Sequence, residues 1–127
     1  MNRSIIKVSI ILLMTLNFST QAAVSLGTDN NCDFLLSDFS LQDLIDSGET
    51  NIKITNQSMI NENISITNTL TLIGGFIDCN EANNQTYGTG SNAVISGRFA
   101  DTVIKINAPQ DSAFIALVNL DISNGVS

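Results

Sequence analysis

The chain has no histidine, no tryptophan, one proline, one tyrosine and two cysteines in its 127 residues. Without histidine there is no imidazole to act as a general base or to activate a serine or cysteine nucleophile. Without tryptophan, the indole platform on which sugar sites often rest is missing. No G-x-S-x-G occurs, and Gly74-Gly75 is not followed by a helix carrying G-K-[ST], so neither a nucleophile elbow nor a phosphate loop is present. A D-x-D-x-D-G calcium loop is also missing, and Cys32 and Cys79 are not spaced as C-x-x-C. The expectation is a chain with no catalytic residues, no cofactor and no metal. Basic residues are scarce too: five Lys and Arg stand against twelve Asp and Glu, a net charge of −7. Such a surface offers no basic patch for nucleic-acid phosphates and does not favour an anionic membrane. The acids are dispersed, and their plain reading is solubility.

What is present begins with an address. Arg3 and Lys7 form a positive leading region, Val8 to Phe18 is an apolar run broken only by Ser9, Thr15 and Asn17, and Ser19 to Ala23 supplies small residues for cleavage. This is the layout of a secretory signal peptide over 1–22, with Thr20 at −3 and Ala22 at −1 of the cut. The apolar run is shorter than the ~20 residues of a spanning helix. Removal of Arg3 and Lys7 leaves the mature chain at −9, with Lys53, Arg98 and Lys105 as its cations. Export fits the cysteine count: an even pair in a short exported chain reads as a disulfide, Cys32 to Cys79. The expected location is secreted or cell-surface, or the periplasm.

The mature part is rich in Ile, Leu and Val, which excludes disorder, and its length allows one domain at most. Val24 to Asn31 reads as a loosely held lead-in. One helix signal follows. Ser40 is a good N-cap with Asp43 at N3, Phe39 and Leu44 have the spacing of a hydrophobic staple, Leu41, Leu44 and Ile45 share a face, and Gly48 ends it. The rest is strand and turn. Alternation marks Asn51 to Thr55, Ile64 to Ile66, Leu70 to Ile73, Ala93 to Ile95, Val103 to Ile106, Phe114 to Val118 and Leu120 to Ile122. Gly74-Gly75 marks a sharp turn or a bulge. Asn56 to Asn61 reads as a turn, Cys79 to Asn92 as a polar excursion, and Pro109 with Gln110 and Asp111 as another turn.

Leu70-Thr71-Leu72-Ile73-Gly74-Gly75 resembles Leu120-Asp121-Ile122-Ser123-Asn124-Gly125 at an offset of 50 residues, which would fit two turns of a solenoid of roughly 25 residues each. An antiparallel sandwich would also show short, regularly spaced strands; the periodicity favours the solenoid. Asparagines at the turns (Asn51, Asn56, Asn61, Asn68, Asn107, Asn119, Asn124) suit side chains that bond neighbouring backbone.

Cys32 followed by Phe39 to Ile45, Gly48 and Ile52-Lys53-Ile54, then Asn63 to Ile66 running into Leu70 to Phe76 and Asp78-Cys79, resembles the start of secreted bacterial right-handed parallel β-helix proteins. Val94 to Gly97, Val103 to Ile106 and Leu120 to Gly125 are similar to their later coils. The resemblance implies an all-β, pectin-lyase-like solenoid of a few coils, with the helix around Leu44 capping the first. It implies an adhesin-like or polymorphic outer-membrane type of protein. Relatives of that type are longer and carry a C-terminal anchor or export module. Residues 23–127 are therefore expected to be the N-terminal segment of a truncated β-helix domain, whose membrane association would run only through the missing module.

The expected function is an exported, non-catalytic segment presenting an extended face to a surface ligand, carbohydrate or protein. The alternative is the leading part of a polysaccharide lyase or hydrolase of the same fold. Enzymes of that fold work with clustered carboxylates, calcium and a basic residue, which directs attention to Asp78, Arg98, Asp101 and Lys105. Solvated charges are the plainer reading of all four.

Overall fold

The computed structural model describes residues 22–97, 102–108 and 112–123. The signal segment, Arg98, Asp101, the turn at Pro109 and the closing Asn124-Gly125 lie outside the described residues. Among the described residues, ten strands run in chain order: β1 Val24–Gly27, β2 Phe34–Leu35, β3 Asn51–Thr55, β4 Ile60–Asn61, β5 Ile64–Ile66, β6 Leu70–Phe76, β7 Ala93–Ser96, β8 Ile104–Ile106, β9 Ile115–Val118 and β10 Leu120–Ser123. Helix α1, Leu41–Asp46, lies between β2 and β3, and α2, Cys79–Asn84, between β6 and β7. The strands form three separate sheets, ordered β2-β1-β3-β6-β9, β10-β7-β4 and β5-β8. Every pairing among them is parallel.

Parallel, in-register pairing sets like residues over like. Val24, Ile52, Leu72 and Leu117 stand over one another across the large sheet. Ile60, Ile95 and Ile122 do the same in the second, and Ile66 and Ile106 in the third. Side chains from all three sheets and from Leu41 and Leu44 of α1 join one core. The alternation seen in the sequence is the alternation of burial: β5 reads buried, exposed, buried at Ile64, Ser65 and Ile66.

The all-β right-handed parallel β-helix expected from the sequence is corrected. The structure is a small mixed domain with two short helices and three separate parallel sheets. Paired residues do not recur at a fixed period. They lie 28 apart between β1 and β3, 20 between β3 and β6, 45 between β6 and β9, 35 between β4 and β7, 27 between β7 and β10, and 40 between β5 and β8. The two segments matched at an offset of 50 occupy different sheets: Leu70 pairs with Ile115, whereas Leu120 pairs with Ala93. Their likeness is that of any short apolar-polar-apolar strand leading into a turn. The antiparallel sandwich fails as well, because its hairpin pairings are not formed.

Helix α1 matches its signals closely. The Ser40 hydroxyl accepts from Asp43 N–H and the Asp43 carboxylate accepts from Ser40 N–H, a full capping box. Gly48, at φ 100°, follows the last turn; its N–H and that of Glu49 reach the carbonyls of Ile45 and Leu44. The Phe39 ring meets Phe34 edge-on, with centroids 5.1 Å apart. Val24 to Gly27 is a strand inside the large sheet rather than a loose lead-in, with Leu26 fully buried. Gly75, at φ 91°, falls where the register between β3 and β6 shifts, so the glycine pair makes a bulge. A Cβ on Gly74 would run into the Asn119 carbonyl and Ala93, which keeps the bulge against the second sheet.

Cys32 and Cys79 are joined across 47 residues, fastening the β1–β2 loop to the start of α2. Closing a loop of that length is worth about 4 kcal/mol on the chain-entropy model. Cys32→Ser should therefore lower the unfolding free energy measured in urea by about that amount. Leu72→Ala, in the central column, should cost about 2–5 kcal/mol in the same measurement.

Candidate functional site

Three side chains offer metal-type ligand atoms within 4.8 Å of one another: Asp29, Cys32 and Cys79. The two sulfurs are bonded to each other and no thiolate remains, so the group is structural. One oxygen of Asp29 accepts from the N–H of Cys79 at 2.9 Å and from the Gln57 amide at 2.8 Å; the other accepts from Asn31 N–H at 3.0 Å. Desolvation pushes the Asp29 carboxyl up, but the bonds from Cys79, Gln57 and Asn31 together outweigh it and hold the pKa below the ordinary aspartate value.

The carboxylates near α2 are also committed to the fold. Asp78 caps the helix, accepting from Glu81 N–H at 2.8 Å. The Glu81 carboxylate takes the hydroxyl and N–H of Thr89 and the N–H of Ile77, which hold its pKa below the ordinary value. Lys53 donates to the carbonyls of Ala82 and Gln85 and lies 5.4 Å from the centre of the Phe76 ring, tying β3 to α2. Of the four residues singled out for sugar chemistry, Asp78 is a helix cap and Lys105 is exposed on β8. Arg98 and Asp101 fall outside the described residues.

A groove of about 350 Å³ lies between the β2–α1 connection and β4. Leu36 and Phe39 form one wall, and Met59 and Ile60 the other. Phe39 is 41 % exposed and Met59 48 %, while Ile60 is buried. The wall of Leu36 and Phe39 is held by backbone hydrogen bonds. Leu36 N–H donates to the Gly27 carbonyl, and the N–H groups of Asp38 and Phe39 donate to Leu35. Below them, the two oxygens of Glu62 accept from the N–H groups of Leu41 and Gln42, seating the start of α1 on the segment that leaves β4. β4, whose Ile60 and Asn61 line the groove, is the edge strand of its sheet among the described residues. A free strand edge beside exposed apolar side chains can receive an extended polypeptide.

Asn56 to Asn61 is expected as a turn, yet Ile60–Asn61 forms β4, and Phe39, expected to precede the Ser40 cap, lines the groove beside it. The apolar Met59-Ile60 pair inside a polar stretch was its only trace. Helix α2 was missed too, although Asp78 followed by Glu81 has N-cap spacing.

Comparison with protein-family models, curated proteins and solved structures finds no match for this chain. The resemblance to β-helix proteins therefore gains no support from relatives. The geometry defines the chain only as a disulfide-linked domain of parallel sheets with a groove of mixed polar and apolar lining beside a strand.

The depressed Asp29 pKa has a defined consequence for acid stability. Its stabilisation is fully present above the unfolded value, about 3.9, and is lost as pH falls through the lower folded value. Thermal melts between about pH 5 and pH 2 should show a fall in midpoint that Asp29→Asn flattens, with the variant already less stable at neutral pH.

Proposed function

We propose that the protein is an exported, non-catalytic binding protein of secreted or cell-surface, adhesin-like character, and that it takes an extended apolar segment of another protein along β4. The observation that carries this reading is the groove itself: Phe39 and Met59 stand exposed in its lining with β4, and backbone hydrogen bonds hold the Leu36 and Phe39 wall. The three-part N-terminal layout and the Cys32–Cys79 link support export to an oxidising compartment. A polypeptide suits the groove better than a sugar, because strand addition uses backbone donors and acceptors and sets alternate side chains against the Phe39 and Met59 walls.

The reading is tested with a short capped peptide of alternating Val and Thr, followed by NMR on labelled protein. The amides of Ile60 and Asn61 should shift and saturate. Met59→Asp should weaken binding by about tenfold or more, since a charge would be set in an apolar contact. Shifts scattered over the surface, or equal binding by Met59→Asp, would remove the proposal. Incubation with polygalacturonate should give no cleavage; cleavage lost in Asp101→Ala would favour the enzymatic alternative instead.

A further inference from the structure

Three acidic residues stand at the start of α1, and two of them are spent on it. Asp43 accepts from the N–H of Ser40, and Glu62 accepts from the N–H groups of Leu41 and Gln42. These bonds satisfy backbone donors that the first turn of a helix leaves open. Asp38 differs. Its own N–H is tied to the Leu35 carbonyl, which places its backbone, and the residue is exposed in the lining of the groove. Among the described residues, no hydrogen bond or ion pair engages its carboxylate.

The charge around it is of one sign. Asp38 and Glu62 are the charged residues of the groove lining, and no lysine or arginine is among them. The cations of the described residues lie elsewhere: Lys53 donates to the carbonyls of Ala82 and Gln85, and Lys105 belongs to β8, paired with β5. Across the sequence, five Lys and Arg stand against twelve Asp and Glu. A wholly apolar occupant would desolvate the Asp38 carboxylate without offering it a partner. An acidic occupant would set like charges together. A basic side chain among apolar ones meets both kinds of lining.

We propose that the groove selects a basic strand, an extended segment of a partner protein in which a Lys or Arg stands among apolar residues. The apolar residues meet Phe39 and Met59, and the basic head meets the Asp38 carboxylate. Lys and Arg suit this place because their long apolar stems can lie on such side chains while the charge reaches further. This inference rests on the reading of the groove as a peptide site and adds to it the charge of the partner.

The test uses labelled protein, expressed from its full sequence into a bacterial periplasm, and three capped peptides of equal length. One alternates Val and Thr throughout; in the others a central Thr is replaced by Lys or by Glu. Binding is followed by NMR at low salt through the amides of Ile60 and Asn61. The lysine peptide should bind about threefold tighter than the threonine peptide, the size that an exposed charge pair supports. The glutamate peptide should bind more weakly than either. The lysine preference should fade toward 1 M salt, where screening acts within about 3 Å. Asp38→Asn should remove most of that preference. Glu49→Gln deletes the same charge beyond the other end of α1 and should retain it, which separates Asp38 from the net charge of the chain. Unchanged amide shifts away from each substitution would show both variants folded. If none of the three peptides binds at Ile60 and Asn61, the peptide-site reading falls and this inference with it. If the threonine peptide binds there and the lysine peptide binds no tighter, this inference alone falls. It falls alone too if the lysine preference survives Asp38→Asn, or is lost equally in Glu49→Gln.

Discussion

In-register parallel pairing is the constraint from which the rest of the structure follows. Because Val24, Ile52, Leu72 and Leu117 stand over one another, a single alternating pattern repeated in separate segments builds one continuous apolar column. The other two sheets contribute shorter columns to the same core. Each backbone edge then needs a neighbour, and the fold meets that need in several ways. β2 closes one side of the large sheet, and the Gln42 side chain stands in for a strand at Ser65.

Polar contacts hold the connections rather than the core. Asp29 and Gln57 join the loop after β1 to the segment after β3 and to the start of α2; Gln57 also accepts from the Thr28 N–H and the Thr55 hydroxyl. The disulfide runs beside this network, so the same loop is fixed both covalently and by a carboxylate held ionised. Asn56 reaches the Ser91 carbonyl and Asn63 the Thr102 carbonyl, each tying one segment to the next. Asparagine recurs here because its amide can bond backbone that no ladder supplies. Asn51 differs: its buried Oδ1 has no hydrogen-bond partner among the described residues.

The groove lies beside β4 and is mixed in chemistry. At the groove, Glu62 accepts from the first N–H groups of α1, and exposed Phe39 and Met59 stand among Ser37, Asp38, Ser58 and Asn61. Away from the groove, Asp78, Glu81 and Asp29 each serve a local backbone need.

Local signals were legible where a few neighbouring residues decide the outcome. The capping box at Ser40, the stop at Gly48, the bulge at Gly74-Gly75, the strand at Ile64 to Ile66 and the pairing of two lone cysteines all have causes within reach of the residues themselves. Alternation, however, says only that a strand has a buried face; it does not say which strand lies beside it. Leu70 to Gly75 and Leu120 to Gly125 look alike as sequence, and long-range packing sends them to different sheets. The same limit hid β1, β4 and α2, whose few apolar residues form an element only when distant segments cover them. By itself, then, the sequence determined caps, turns, strand faces and the covalent link, because those depend on backbone preference and short-range hydrogen bonds. The tertiary structure alone decided the three sheets, their irregular spacing and the groove, because each depends on which remote edge satisfies which.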